Sequence, residues 1–106
     1  MITLHLFYTG ESDSARRFVA EMESSGLADS IRREPGILRY EYYQPVRDPK
    51  TMLLIDSWES QEAIDAHHAS PMMQRIAELR EKYDLHMRVE RFTSEDFESD
   101  AVFVRK

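Results

Sequence analysis

The chain contains no cysteine, no asparagine and only three glycines in 106 residues. Without cysteine it can form no disulfide, thiolate nucleophile or iron–sulfur cluster. The lack of disulfides suits a reducing compartment. No apolar run approaches the roughly 20 residues that cross a bilayer, and the first eight residues lack the basic segment of a signal peptide. We therefore expect a cytoplasmic protein without a membrane partner.

Positive charge is also scarce relative to negative charge. The net charge is −6, and the basic residues are scattered among acidic ones. Nucleic-acid binding depends on clustered lysine and arginine that neutralise phosphates. We therefore expect no nucleic-acid partner.

The order of sequence patterns predicts one α+β domain over residues 1–93. Strand-like alternation or composition occurs at residues 2–8, 37–43, 51–58 and 85–92. Two helical stretches separate these strands, and each is interrupted: the first at Ser24-Ser25-Gly26, the second at Ser70-Pro71, where Ser70 is expected to cap a new helix. The resulting β-α-β-β-α-β order is ferredoxin-like. Right-handed crossovers then predict a four-stranded antiparallel sheet with strand three between strands one and two, and strand four beside strand one.

Residues 94–106 form an acidic C-terminal tail outside this pattern. The tail ends in Ala101-Val102-Phe103-Val104, whose composition favours a strand. We expect this segment to be a short extra strand that pairs with a sheet edge, in the same chain or in a partner subunit.

Apolar and aromatic residues fall on both faces of the predicted sheet. The residues concerned are His5, Phe7, Tyr40, Tyr42, Leu54, Trp58 and Phe92. Two helices can cover only one face, and a large apolar face is rarely left in water. We therefore expect a homodimer in which a second copy covers the other face.

Two strings of residues resemble the antibiotic-biosynthesis-monooxygenase-like family. They are the string from Trp58 to Pro71, which holds a strand-ending Trp, a helix with Glu-Ala, a His and then Ser-Pro, and the string from Glu34 to Tyr40. The resemblance covers roughly residues 18–93. It implies a dimeric α+β barrel with a pocket between the sheet and the helices of each half. Members of the family include haem-degrading enzymes and monooxygenases that oxidise quinols or polyketide phenols without metal or flavin.

His67 is the strongest candidate for a catalytic residue. The family string places it at the pocket side of the second helix, just before the Ser70-Pro71 break. An imidazole titrates near neutral pH in general, so it can remove a phenol proton. The alternative is a structural histidine that hydrogen-bonds the broken helix end. His68 is expected to face solvent.

Further pocket candidates lie on the strands. Trp58 shares a strand face with Asp56, and its indole could stack on an aromatic substrate or simply fill the core. Asp56 could orient His67, bind substrate, or pair with an arginine on the next strand. Tyr40 could face the pocket or pack in the core.

A second group of candidates occupies the opposite strand positions. His5 and His86 are expected to share the barrel lumen with Phe7, Arg88 and Phe92. Two histidines alone are not a metal site, and no His-x-His or His-x3-His spacing marks ligands. We therefore expect no metal.

The missing asparagine bears on the activity that the resemblance implies. In the haem-degrading branch an Asn near the pocket is a working residue, and a proximal His follows a Trp by ten residues. In this chain the position of that Trp holds His67, and the position of the proximal His holds Ala77. We therefore expect no haem cofactor. The resemblance then implies a cofactor-independent monooxygenase that acts on a quinol or polyketide-like phenol, with a small aromatic molecule as its partner. The alternative is a non-catalytic binding or structural dimer of the same fold.

Overall fold

A computed structural model describes residues 1–105 of the chain. Its elements, in chain order, are strand β1 (Ile2–Thr9), helices α1 (Ser14–Ser24) and α2 (Leu27–Ile31), strands β2 (Ile37–Tyr43) and β3 (Thr51–Trp58), helices α3 (Gln61–His68) and α4 (Met72–Lys82), strand β4 (His86–Thr93), and a 3-10 helix (Glu98–Phe103). No helix among the described residues is long and apolar enough to cross a membrane.

The four strands form one antiparallel sheet in the order β2-β3-β1-β4. This confirms the predicted α+β, ferredoxin-like architecture and its strand order. The two central strands are β3 and β1, and β1 pairs with β3 on one side and with β4 on the other: Leu6 lies opposite Leu54 and Val89. Because side chains alternate along a strand, this register fixes which residues share a face.

The four helices cover one face of the sheet, which we call the closed face. Its core contains Trp58, Phe18 and Ile64, none more than 2% exposed. The turn that leads into β2 brings the chain close to α3. There Gly36 has a φ of +83°, and a Cβ at this position would lie 2.6 Å from the Cβ of Ala63. Only glycine adopts this conformation readily and leaves room for the helix.

The helix breaks fall where the sequence predicts them, but one predicted cap is wrong. Gly26 separates α1 from α2 with a φ of +83°, and Ser60 caps α3 by accepting a hydrogen bond from the backbone N–H of Ala63 at 3.2 Å. Ser70, in contrast, caps nothing with its side chain. Its backbone carbonyl accepts the N–H of Met73 instead, because the chain turns directly from α3 into α4 and keeps the hydroxyl away from the helix end.

The tail differs from its prediction. Within the chain Ala101–Val104 forms no strand. Its first three residues belong to the 3-10 helix, and the N–H of Val104 donates a hydrogen bond to the carbonyl of Ala101. Phe103 is 87% exposed. A single copy offers these apolar side chains nothing to pack against, so only short-range hydrogen bonds form. Pairing with a partner subunit stays a prediction.

Candidate functional site

The eight predicted site residues fall on two sides of the sheet. Tyr40, Asp56, Trp58 and His67 meet on the closed face, whereas His5, Phe7, His86 and Arg88 lie on the opposite one, which we call the open face. The structure therefore brings only half of the predicted residues together. The strand register is the reason: Tyr40 pairs with Asp56, and Phe7 pairs with Arg88.

A small cavity lies on the closed face between the sheet and helices α3 and α4. Its volume is about 40 Å³. Its wall includes all four predicted residues of this face, Tyr40, Asp56, Trp58 and His67, and residues that the sequence did not single out: Tyr8, Met73 and Arg80. Apolar side chains such as Leu54 and Ile64 complete the wall. Titratable groups thus face a largely apolar space.

His67 is held in place by an acidic partner from another element. Its Nδ1 lies 3.0 Å from both carboxylate oxygens of Glu34, and both side chains are largely buried. The ring also stacks against Trp58, with centroids 4.9 Å apart and planes tilted by 33°. A carboxylate at Nδ1 favours the tautomer with its proton there, which leaves Nε2 as a proton acceptor. The bond joins α3 to the turn before β2, not to the end of its own helix.

Asp56 is a buried acid without a charged partner among residues 1–105. It is 4% exposed, and its Oδ1 has no hydrogen-bond partner among the described residues. Burial raises the pKa of Asp56 to about 7, and the nearby Trp58 N–H opposes this rise. The two groups do not form a hydrogen bond of good geometry, because the indole Nε1 is itself without a partner. The predicted pairing of Asp56 with a strand arginine does not occur.

The other polar residues of the wall are Tyr8, Tyr40, His68 and Arg80, and Tyr42 contacts Tyr40. Arg80 donates from Nη2 to the hydroxyl of Tyr8 at 3.3 Å, and the hydroxyls of Tyr40 and Tyr42 are 3.2 Å apart. Burial raises the pKa of Tyr8, Tyr40 and Tyr42, so these phenols stay neutral around pH 7.

Tyr8 and Arg80 of the wall, and Glu34 beside His67, escaped the sequence prediction. Tyr8 belongs to the apolar alternation of β1, and Arg80 follows Ile76 by four residues on the apolar stripe of α4. A charged residue on such a stripe is a usable signal. Glu34 carries no such signal, because it lies in a turn and only the fold brings it to His67.

The open face holds the other four predicted residues. The ring of His5 lies 4.7 Å from that of Phe92, and the guanidinium of Arg88 lies 4.0 Å above the ring of Phe7. Arg88 also pairs with Glu90 at 3.2 Å. His86 lines a shallow groove of about 480 Å³ with Phe7 and Arg88. Within residues 1–105, no three His, Asp or Glu side chains come close enough together to hold a metal ion.

The fold and the closed-face cavity define a ferredoxin-like α+β domain with an enclosed site between sheet and helices. The family model of the antibiotic biosynthesis monooxygenases matches residues 1–79. The chain belongs to this family.

Solved structures share the fold at low sequence identity. A protein of Deinococcus radiodurans whose name places it among the antibiotic biosynthesis monooxygenases has a TM-score of 0.78 and 16% identity, over 92% of this chain and 95% of its own. SnoaB of Streptomyces nogalater, a cofactor-independent oxygenase, has a TM-score of 0.74 and 16% identity, over 91% and 94%. PA3566 of Pseudomonas aeruginosa has a TM-score of 0.75 and 21% identity, over 90% and 94%. No curated protein sequence matches the chain.

Proposed function

We propose that the protein is a cofactor-independent monooxygenase that oxidises an electron-rich phenol or quinol in the closed-face cavity. The observation that carries this proposal is the His67–Glu34 pair at the wall of an apolar cavity. Family membership supports it, and so does the fold shared with SnoaB, which is a cofactor-independent oxygenase.

The chemistry needs a base and a site sheltered from water. A phenol has a pKa near 10, so little of it is ionised at neutral pH. In our proposal Nε2 of His67 accepts the phenol proton, and the resulting phenolate passes electrons to molecular oxygen. One oxygen atom joins a ring carbon and the other leaves as water, which takes up the two hydrogens that the phenol loses as it becomes a quinone. The substrate supplies all four electrons, so the proposal requires no other reductant.

The size of the cavity limits which substrates fit without movement. A cavity of about 150 Å³ accepts benzene, whereas this one measures about 40 Å³. Met73 in its wall is an unbranched thioether that can repack. We propose that the ring enters by displacing Met73. The small volume also favours the second candidate, a non-catalytic binding or structural dimer.

We also propose that the working unit is a homodimer in the cytoplasm. On the open face Leu53 and Ile55 are only partly covered in a single copy, and Tyr43 and Phe92 are 47% and 45% exposed. A second copy of the same face would remove these side chains from water. The proposed cytoplasmic location rests on the lack of cysteine and of long apolar runs in the sequence.

The activity can be tested by oxygen uptake with a panel of quinols and hydroxylated polyketides. With a substrate found in this way, His67→Ala should lower the rate by about 10²–10⁴, and raising the pH should restore part of it as the substrate ionises unaided. His86→Ala is the matched control, because this histidine is exposed on the open face, away from the cavity. A panel without oxygen uptake would favour the second candidate, and a His67→Ala protein with the normal rate would remove His67 as the base.

A further inference from the structure

Three buried polar atoms at the closed-face cavity lack a hydrogen-bond partner among the described residues. They are Oδ1 of Asp56, Nε1 of Trp58 and Nε of Arg80, and all three residues line the same cavity. Trp58 is fully buried and Asp56 is 4% exposed. Buried polar groups are almost always paired, and each one left unpaired costs about 1–3 kcal/mol. Three such atoms around one cavity need a partner from outside the described residues, either a bound water or a ligand group.

The chemistry of the three atoms indicates what this ligand offers. An indole N–H and a guanidinium N–H can only donate. The Asp56 carboxyl has a pKa raised by burial to about 7, so at mildly acidic to neutral pH much of it carries a proton and can also donate. Three donors favour an acceptor oxygen, and a positive guanidinium favours a negatively charged one. The matching ligand group is an oxygen anion.

We propose that protonated Asp56, Trp58 and Arg80 together hold the oxygen anion of a phenolate-type ligand. This inference rests on the proposed function, in which His67 removes the phenol proton. That proton moves from the phenol oxygen to Nε2 of His67, and the phenolate oxygen then accepts hydrogen bonds from the three donors. Donors fixed before the charge develops stabilise it more than mobile water does. Asp56 is thus a binding residue that works in its neutral form.

Whether the pH dependence of ligand binding reports on Asp56 depends on the other titratable and charged groups around the cavity. The titratable and charged groups that line the cavity are Tyr8 from β1, Tyr40 from β2, His67 and His68 from α3, and Arg80 from α4. The raised pKa values of Tyr8 and Tyr40 keep both phenols neutral around pH 7. The imidazoles of His67 and His68 line the same cavity as Asp56, so the test also uses variants that lack them.

The test uses 4-nitrophenol, whose anion absorbs visible light and which needs no oxygen chemistry to be detected. Binding is followed by the fluorescence of Trp58, the only tryptophan in the chain, and ionisation by the absorbance of the anion. We expect the bound probe to ionise at least about tenfold more readily than the free probe near pH 6. Affinity for the anion should then fall as the pH rises through about 7, because Asp56 loses its proton.

Matched variants isolate Asp56. Asp56→Asn keeps a donor at every pH, so binding of the anion should persist above pH 7, whereas Asp56→Ala should bind at least about tenfold more weakly. Asp65→Asn on the exposed side of α3 should behave like the wild type. The same series in His67→Gln and His68→Gln backgrounds removes the imidazoles. Thermal unfolding confirms that each variant is folded.

The outcomes separate this inference from the proposed function. A probe that does not bind, that binds without a change in its ionisation, or whose pH profile is the same in Asp56→Asn would overturn the role of Asp56. If the probe behaves as expected but no quinol consumes oxygen, the anion site stands and the monooxygenase proposal falls. If neither Asp56→Asn nor Asp56→Ala changes oxygen uptake, the monooxygenase proposal holds and the anion site at Asp56 is overturned.

Discussion

The two faces of the sheet differ in how completely their polar groups are paired. On the open face they are paired: the hydroxyls of Thr3 and Ser57 are 2.8 Å apart, and those of Thr9 and Thr51 are 2.7 Å apart. On the closed face, behind a dense apolar core, Asp56 and Trp58 keep buried atoms without partners. Paired groups need no ligand, whereas unpaired buried groups do. In our proposal the closed face carries the chemistry and the open face makes the subunit contact.

Two neighbouring residues of β3 provide the sharpest test of this division. Leu54 points into the closed-face core and is 2% exposed, so Leu54→Asp should lower the free energy of unfolding by about 3–5 kcal/mol, since it buries an unpaired charge. Ile55 lies on the open face opposite His5. Ile55→Asp should leave the fold intact and dissociate the dimer. Denaturant unfolding measures the first effect and sedimentation the second.

A control for these variants is Val46→Asp, because Val46 lies in the loop before β3 and is fully exposed. It should change neither the unfolding free energy nor the oligomeric state. If Ile55→Asp stays dimeric at micromolar concentration, the open face is not the subunit contact.

Asp56→Asn should raise stability at neutral pH. The folded pKa of about 7 exceeds the usual value of 3.8, so between about pH 4 and pH 7 the unfolded chain has lost a proton that the folded one keeps. Stability therefore falls as the pH rises through this window and is level above it. The loss amounts to at most about 4 kcal/mol.

Asp56→Asn removes this loss, so its unfolding free energy should exceed that of the wild type at about pH 8 and match it near pH 4. Urea unfolding at both pH values measures the difference. An equal difference at the two pH values would show that Asp56 does not titrate as the geometry implies.

Gly36→Ala should push the turn before β2 away from helix α3. The new Cβ would lie 2.6 Å from that of Ala63 in α3, and the positive φ adds strain. We expect a loss of about 3 kcal/mol in unfolding free energy, with weaker contact between Glu34 and His67. Gly26→Ala is the control: it has the same φ of +83° but no atom within 4 Å, so it should cost only about 1 kcal/mol.

Removing residues 95–106 should have the smallest effect. In a single copy Phe97, Val102 and Phe103 are 63%, 80% and 87% exposed, so their loss should leave the unfolding free energy of the monomer unchanged. If the tail pairs with a partner subunit, its removal should weaken the dimer and raise its dissociation constant about tenfold. Sedimentation at several concentrations decides, and an unchanged dissociation constant would remove the tail from the interface.

The sequence predicted the sheet better than the site, and the physical reason is the range of the interactions. Alternation in β1 and the Pro35-Gly36 turn are local patterns, and they located strands and turns correctly. The contact of Glu34 with His67 and that of Arg80 with Tyr8 join residues far apart in the chain. Local patterns do not specify such contacts, so these partners became visible only in the folded chain.

The alternation of β1 predicts which of its own residues share a face. His5 and Phe7 occupy odd positions and Tyr8 an even one. What alternation could not supply was the register with β3, which brings Asp56 opposite Tyr40 in β2 and Leu4 in β1.

The central position of β1 has a consequence for biosynthesis. A ribosome makes this strand first, yet its two hydrogen-bonding neighbours, β3 and β4, follow much later, and Ile2 pairs with Trp58 and with Thr93. Until those segments emerge, both edges of β1 and its apolar side chains have no native partner. Pairings between residues so distant in sequence also form slowly. The sheet around β1 can therefore be completed only after β4 has been made.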